Sequence, residues 1–267
     1  MDVRQYELLY GLQSLLEYHR NSGISHYPKD KEISRFLHSA SELRDGPPSP
    51  RARTVQVTKT PADHEVVGVL QDFQQPAVSL ADIAEEVAQC RACSLAENRM
   101  ATRAGLGGDR VRLLIVGDWL TGEPAALSEE VQFGIEEDRM LFRMLAAINV
   151  QAEQTFITNA IKCVIPETTQ PLAENVKICL SFLHRQIALL APECICTMGM
   201  LATRALLGLP QPLSQLRGSF HSFKADDGRQ IPLIATYHPS FLLQNPEMKK
   251  AVWLDLQSIG RQMKTFP

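Results

Sequence analysis

Four cysteines of the chain have a spacing that could bind a metal. Cys90 and Cys93 form a C-x-x-C pair, Cys163 follows after 69 intervening residues, and 15 residues separate Cys163 from Cys179. Four thiolates brought together by a fold can bind one zinc ion or an iron–sulfur cluster. Zinc fingers usually contain two closely spaced pairs, so this uneven spacing fits a four-cysteine iron–sulfur cluster at least as well. Unlinked buried thiols are the alternative, because isolated cysteines are commonly core residues.

Polar residues stand where three apolar runs end. Gly117 and Asp118 lie at the end of RLLIVG, Asn159 ends TFITN, and His238 follows IPLIATY. Carboxylate, amide and imidazole groups can all form hydrogen bonds with a ligand. Each also has a structural alternative: an asparagine can simply terminate a strand, and a histidine before proline is often a turn residue.

The elements that carry these residues alternate between strand and helix. The predicted strands are RLLIVG, TFITNAIKC, ECICTMG and IPLIATYHP, and the predicted helices lie near 136–148, 171–190, 200–207 and 246–263. Ser79 and Asp82 have the spacing of a capping box and predict another helix in SLADIAEEVAQC. Such alternation predicts an α/β fold with a parallel sheet flanked by helices. Because ligands bind at the carboxyl ends of parallel strands, we expect the polar residues to meet there.

The first 76 residues differ from this pattern. Residues 1–40 include YELLYGLQSLLEY, whose apolar spacing predicts an N-terminal helical extension that packs on the main domain or on a second copy. Residues 41–76 combine several prolines with charge and little periodicity, which predicts a flexible linker. The predicted main domain therefore covers residues 77–267.

Composition narrows the class of protein. A chain of 267 residues with 45% apolar content can bury one sizeable core. The net charge of -3 argues against a protein that coats nucleic acid non-specifically, although a local basic groove stays compatible with it. The sequence contains no uncharged apolar run of about 18 residues, and MDVRQYELLYG lacks the order of a secretory signal. We therefore predict a cytoplasmic protein without a membrane partner, in which Cys194 and Cys196 fill the core.

Several motifs, taken together and in order, resemble the family-four uracil-DNA glycosylases over approximately residues 85–260. They are the C-x-x-C pair, the strand ending in Gly117-Asp118, TNAIKC, Cys179 and TYHPSFLL. The resemblance implies a three-layer α/β/α sandwich with a mainly parallel central sheet. It also implies a structural [4Fe-4S] cluster held by Cys90, Cys93, Cys163 and Cys179. The implied activity is hydrolysis of the N-glycosidic bond of uracil, or of another deaminated base, in DNA, and we expect a monomer.

The same resemblance assigns roles within a base pocket. Asn159 would read the base edge, since its amide can donate to O4 and accept from N3–H, whereas cytosine presents the opposite polarity. Phe133 aligns with the stacking aromatic of the family, although a core phenylalanine is the alternative. Gly117 would let the backbone approach uracil, and His238 would stabilise the leaving anion.

The resemblance also predicts a DNA-binding surface. Ser240, Leu242 and Leu243 would belong to a loop that wedges into the minor groove beside the flipped base. Arg217, in LRGSF, matches an R-G element of the family and is expected to face the DNA backbone.

Two segments depart from the family pattern. The family turn G-E-A-P-G is replaced from Gly117 onward by GDWLT, so the predicted catalytic carboxylate of Asp118 is a methylene shorter. A displacement of about 1 Å can cost about a hundredfold in rate. The family stretch F-V-G-R-A-G is replaced by FGIEEDRML, which puts three acids near the expected DNA face. Two alternatives therefore stay open: a catalytically weak DNA- or partner-binding relative that keeps the cluster as a clamp, and an unrelated metal-stapled α/β enzyme.

Overall fold

The computed structural model describes residues 79–108, 111–122, 128 and 130–265. The predicted N-terminal extension (1–40) and linker (41–76) lie outside the described residues, so both stay predictions. Helices and strands alternate through the described part of the chain as the sequence pattern indicates. None of the helices described there is long and apolar enough to cross a membrane.

The elements have the following bounds. The strands are β1 (Ala101–Thr102), β2 (Leu106–Gly107), β3 (Leu113–Gly117), β4 (Thr155–Asn159), β5 (Cys163–Val164), β6 (Cys194–Met198), β7 (Phe220–Lys224) and β8 (Gln230–Thr236). The α-helices are α1 (Leu80–Gln89), α2 (Leu95–Asn98), α3 (Ile135–Ala147), α4 (Ala173–Leu190), α5 (Met200–Leu207), α6 (Leu213–Leu216), α7 (Pro239–Gln244) and α8 (Lys249–Gln262). Two 3₁₀ helices cover Ala152–Gln154 and Pro246–Met248.

Six of the strands form one sheet in the order β2-β4-β3-β6-β8-β7. The inner four strands are parallel to one another, while β2 and β7 pair antiparallel at the two edges. The predicted mainly parallel sheet is therefore confirmed. In the register of the sheet Gly117 pairs with Asn159 on one side and with Met198 on the other. This register brings the polar strand ends to the same edge.

Helices cover both faces of the sheet. On one face Leu114 and Val116 of β3 pack with Leu183 of α4 and Leu206 of α5. On the other face α8 contacts β6 and β8, and α3 contacts both α7 and α8. Every residue of β3 is buried, as expected for an inner strand with helices above and below. The fold is thus the three-layer α/β/α arrangement.

The segment TFITNAIKC does not form one strand as predicted. After Asn159 the chain leaves the regular ladder, with the N–H of Ala160 donating to Gly117 O and the N–H of Ile161 donating to Asp118 O. Cys163 then pairs with Thr102 in a separate two-stranded sheet. The break places the amide of Asn159 and the thiol of Cys163 in different local environments.

Candidate active site

Three predicted base-binding residues meet at the carboxyl end of β3. A Cβ atom built on Gly117 would overlap the Phe133 ring and Oδ1 of Asn159. Only glycine fits at this position, because the ring lies directly on its backbone with the amide oxygen beside it. The structure therefore brings Gly117, Phe133 and Asn159 together.

The amide of Asn159 has a fixed orientation. Its Nδ2 donates a 2.6 Å hydrogen bond to Gln132 O, and only the NH₂ group of the amide can donate to a carbonyl. Its Oδ1 is buried and has no hydrogen-bond partner among the described residues. A buried acceptor without a partner is costly, and such an atom points to a ligand site.

A carboxylate holds the backbone that carries Phe133. Asp138, in the first turn of α3, accepts from the N–H of Gln132 at 2.8 Å and from the N–H of Phe133 at 3.1 Å. Burial raises the pKa of Asp138 to about 6, while these two donors act in the opposite direction. The sequence placed this acid near the DNA face, but it is buried against the loop. An acidic residue in the first turn of a helix often accepts hydrogen bonds from the backbone N–H groups before it, and this position could have indicated the contact from the sequence.

His238 presents one free ring nitrogen. It caps α7: its Nδ1 lies 3.2 Å from the N–H of Ser240 and 2.8 Å from Oγ of Ser240. Because a backbone N–H can only donate, Nδ1 is the acceptor, and a neutral ring carries its hydrogen on Nε2. That Nε2 is buried and has no partner within the described part of the chain. Burial lowers the pKa of His238 to about 4, so the ring is neutral at pH 7.

A cavity of about 480 Å³ opens beside these groups. Its volume lies in the ordinary range of small-molecule sites. The ring of Phe133 lies 4.8 Å from the ring of His238, centroid to centroid, and both line the cavity. Its walls are formed by Asp118, Trp119, Thr121, Phe133, Gly134, Glu137, Glu167, Gln170, His238, Ser240, Phe241 and Gln244. Gly117 and Asn159 are not wall residues, and the Phe133 ring lies beside both of them.

Asp118 reaches the cavity wall, but its carboxylate serves a helix. It accepts from the N–H of Ala202 at 2.8 Å and from the N–H groups of Leu201 and Met200, at the start of α5. A Cβ atom on Gly199 would overlap this carboxylate. Burial raises the pKa of Asp118 to about 7, and the three donors oppose that rise. This arrangement argues against the predicted catalytic role of Asp118.

The predicted DNA-wedge loop is a short helix. Residues 239–244 form α7, and Leu242 is fully buried in it, so the predicted insertion of Leu242 into DNA would require α7 to move and stays a prediction. Leu243 is 43% exposed and is the leucine of the pair that faces outward. Ser240 bonds His238, as described above. Consecutive residues of an α-helix point about 100° apart, so Leu242 can face the core while Leu243 faces outward.

Arg217 does not present a free guanidinium to DNA. Its Nε and Nη2 atoms bond the two carboxylate oxygens of Asp255 at 3.1 and 2.7 Å, and Nη2 also donates to Ala251 O at 2.6 Å. The guanidinium also lies 5.6 Å from the centre of the Tyr237 ring. Arg217 thus anchors α8, and its contact with the DNA backbone stays a prediction.

The four cysteines of the predicted cluster share one region. Cys163 and Cys179 are buried in an apolar cluster, and Cys90 and Cys93 pack against it. Burial is the main effect that raises the pKa of Cys179, to about 11, and the negative charges of Cys163 and Cys90 add to it. The thiols thus lie within electrostatic range of one another. Among the described residues, no group of three or more His, Cys, Asp or Glu side chains is arranged to hold a single metal ion.

Two donors face these sulfurs. The N–H of Lys162 donates to Sγ of Cys179 at 3.3 Å, and Nη1 of Arg99 lies 4.0 Å from Sγ of Cys163. Arg99 also donates to Cys90 O at 2.7 Å. Such donors stabilise thiolates, so the chemistry of the region suits a sulfur-ligated group. By contrast, Cys194 and Cys196 are fully buried core residues, as predicted.

Lys162 is a buried residue to which the sequence reasoning gave no role. Its Nζ donates to Oγ1 of Thr158 and to Oε1 of Gln186, each at 2.6 Å. Burial lowers the pKa of Lys162 to about 7. The lysine therefore ties the end of β4 to α4, between the Asn159 amide and the cysteines.

Comparison with known proteins gives this arrangement a family. The family model described as "Uracil DNA glycosylase superfamily" matches residues 104–257. The chain belongs to the uracil-DNA glycosylase superfamily. Within the superfamily it is 29% identical over 186 residues to the Type-4 uracil-DNA glycosylase of Archaeoglobus fulgidus, covering 68% of this chain and 92% of that relative. It is 28% identical over 178 residues to the Type-4 uracil-DNA glycosylase of Thermotoga maritima, covering 66% and 90%.

A Type-5 relative matches a shorter part of the chain. The Type-5 uracil-DNA glycosylase of Pyrobaculum aerophilum is 31% identical over 96 residues, or 36% of this chain and 41% of the relative. The longer matches to Type-4 proteins confirm the resemblance drawn from the motifs. The superfamily fold likewise agrees with the parallel sheet and its helical layers.

Proposed function

We propose that this chain is a DNA repair enzyme that hydrolyses the N-glycosidic bond of uracil in DNA. The observation that supports this most strongly is a pair of buried polar atoms without partners among the described residues, Oδ1 of Asn159 and Nε2 of His238. One is an acceptor and the other a donor, and both neighbour Phe133. Uracil offers the complementary N3–H donor and O2 acceptor on adjacent ring positions.

The fixed amide explains how uracil is distinguished from cytosine. Oδ1 of Asn159 accepts from N3–H of uracil, while the second hydrogen of Nδ2 donates to O4. Cytosine has an acceptor at N3 and an amine at C4, so both contacts are repulsive. The bond from Nδ2 to Gln132 O opposes rotation of the amide to suit cytosine. Leaving buried polar groups unpaired can cost a factor of about 10⁴ or more in discrimination.

Entry of the base requires a movement of Phe133. Asn159 is only 1% exposed, and the Phe133 ring covers the adjacent backbone of Gly117. A flipped base reaches the amide once the ring swings aside, and the displaced ring then stacks on the base. Asp138 holds the backbone at Gln132 and Phe133, so we expect the movement to be a rotation of the side chain.

His238 stabilises the leaving group. When the bond from C1′ to N1 breaks, its electron pair stays on uracil and spreads onto O2. The neutral ring of His238 donates from Nε2 to that oxygen, and Ser240 keeps this hydrogen in place by occupying Nδ1. One donor of this kind contributes about a hundred- to a thousandfold in rate.

We further propose that Cys90, Cys93, Cys163 and Cys179 hold a [4Fe-4S] cluster. When bound, it would cross-link the end of α1, the segment after β4 and α4, and hydrolysis would draw no electron from it. The placement of all four cysteines at one apolar cluster and the donors Lys162 and Arg99 support this assignment. We also propose that residues 77–267 form the glycosylase domain. The protein would be a cytoplasmic monomer that acts on DNA.

The test is a cleavage assay on oligonucleotides that contain uracil, hypoxanthine or no lesion, in single- and double-stranded form. We expect the wild type to release uracil, and His238→Ala and Asn159→Ala each to lose most of that rate. His184→Ala is a matched control, because this histidine lies outside the cavity beside the exposed Asp226. Equal inactivity of the wild type and both variants would contradict the proposed activity.

The cluster has its own test. Purified protein should absorb near 400 nm and release iron and sulfide, and Cys163→Ser should lose the band together with thermal stability. Cys194→Ser, at a buried cysteine of the core, should keep the band. A stable and well-folded Cys163→Ser variant that is inactive would contradict a structural cluster.

The contacts of Asp118 favour a second candidate function. With this carboxylate bonded to α5, a family member could bind uracil-containing DNA without cleaving it. Tight binding of a uracil oligonucleotide without release of the base, at any pH from 5 to 9, would identify this binding function.

A further inference from the structure

The cavity contains a carboxylate that the motif comparison did not assign. Glu137 and Glu167 both line it, in addition to Asp118. Asp118 is engaged with three N–H groups of α5, and Glu167 is exposed. Glu137 is half-buried, and within the described residues it has no hydrogen-bond or ion-pair partner. Glu137 is therefore the carboxylate that is both sheltered and available.

The carboxylate of Glu137 lies against a glycine of the cavity wall. Gly134 has φ +140°, and a Cβ atom there would overlap the Glu137 carboxylate. The carboxylate thus folds back over Gly134, one residue after Phe133, and both Gly134 and Glu137 line the cavity. The charge of Glu137 also raises the pKa of Asp138, which places it close to the support of the Phe133 loop.

We propose that Glu137 is the catalytic carboxylate of this chain, in place of Asp118. This inference rests on the proposed function. The developing positive charge on the deoxyribose is stabilised by a nearby carboxylate, and the same group orients the attacking water. The glutamate on α3 thereby replaces the carboxylate that the family carries after the first strand.

The bond from C1′ to N1 breaks and its electrons leave with uracil, whose charge is stabilised by His238. Water oxygen then bonds to C1′, and the proton that the water loses passes to the Glu137 carboxylate and on to solvent. The uracil anion takes a proton from solvent after release. The products are an abasic site and free uracil.

The chain supplies a matched control for this role. Glu136 is the neighbouring acid of the same helix turn, is exposed, and pairs with Arg139 at 2.5 Å. In single-turnover cleavage of uracil-containing DNA, Glu137→Gln should lower the rate constant about a hundredfold, the size expected for general-base catalysis. Glu136→Gln should stay within about twofold on the same scale, and Glu137→Asp should recover part of the rate.

Binding separates catalysis from simple charge repulsion. Both glutamine variants remove one negative charge near DNA and should tighten DNA binding to a similar small extent. Only Glu137→Gln should lower the rate constant of the chemical step. An effect of Glu137→Gln on DNA affinity alone would overturn the proposal.

A second measurement needs no turnover. Oligonucleotides with a cationic pyrrolidine at the abasic position mimic the charged sugar, and a neutral tetrahydrofuran residue serves as the comparison. The wild type should prefer the cationic mimic about tenfold, a coupling of ordinary size for one close charge pair. Glu137→Gln should lose that preference, and Glu136→Gln should keep it.

The outcomes distinguish the two proposals. A wild type that cleaves uracil while Glu137→Gln cleaves equally fast overturns the role of Glu137 and leaves the proposed function standing. A loss of a hundredfold in Asp118→Asn at unchanged melting temperature, with Glu137→Gln active, returns the role to Asp118. A wild type that does not cleave uracil overturns the proposed function, and the catalytic role of Glu137 falls with it, whereas the first two outcomes overturn the role of Glu137 alone.

Discussion

Two strand ends border the cavity, and each carries a side chain that caps the start of a helix. At the end of β8, His238 caps the helix that follows it with Nδ1 and leaves Nε2 without a partner among the described residues. At the end of β3, Asp118 caps α5, the helix that follows the neighbouring strand β6, and receives three N–H groups. Capping thus leaves one ring nitrogen of His238 available in the first region and occupies the carboxylate of Asp118 in the second. The sequence follows the family at the first end and departs from it at the second.

The largest expected contrast is in rate. We expect His238→Ala to lower the single-turnover rate about a hundred- to a thousandfold, because it removes the donor to the leaving uracil. The free energy of unfolding, measured in urea, should change by less than the activation free energy does, and the circular dichroism spectrum should match that of the wild type. A loss of rate that merely follows a loss of folded protein would remove the distinction between the two strand ends.

The next contrast is in stability. Asp118→Ala should lower the free energy of unfolding by about 1–2 kcal/mol, because the first turn of α5 loses its acceptor. Asp118→Asn keeps one acceptor oxygen and should lose less. Urea unfolding measures both, and if Asp118→Ala were fully stable, the carboxylate would not be a structural cap.

The pH dependence of stability should have opposite signs at the two ends. The pKa of Asp118 is raised to about 7 from an ordinary value near 4, so the folded state keeps a proton that the unfolded state has released. Its contribution to stability therefore falls as pH rises from about 4 to 7. Asp118→Asn should remove that decline in unfolding free energies measured across this range.

His238 gives the opposite slope. Its pKa is lowered to about 4 from 6.5, so its contribution is fully present above pH 6.5 and is lost as pH falls toward 4. The cleavage rate should accordingly keep its His238 contribution down to about pH 5 rather than losing it near pH 6.5. A midpoint near 6.5 in the acid limb, absent in a His238 variant, would show an ordinary exposed histidine.

The smallest effect concerns the hydroxyl of Ser240. Ser240→Ala removes one hydrogen bond to Nδ1 of His238 but keeps the backbone N–H that sets the tautomer. We expect the rate to fall about two- to tenfold, the size of one ordinary hydrogen bond. A loss as large as that of His238→Ala would mean that the hydroxyl, rather than the backbone, fixes the imidazole.

The sequence predicted the parts of the site that depend on regular patterns. The period of apolar residues located β3, β4 and β8, and parallel pairing brought Gly117 beside Asn159. Contacts between separate elements were not predictable in the same way. The bond from Asp118 to α5 depends on how β3 and β6 pair, and α7 is too short for a helical period to appear. The burial of Leu242 follows from that unrecognised helix.

Under the proposed function, the position of Phe133 over Gly117 divides the inspection of a base into two stages. An incoming base would first have to displace the Phe133 ring from Gly117, which depends on the shape and stacking of that base. Only a base that displaces the ring would reach Oδ1 of Asn159, which tests the hydrogen-bond donors and acceptors of the base. Undamaged bases would thus be tested for fit against the Phe133 ring before they form any hydrogen bond with Asn159.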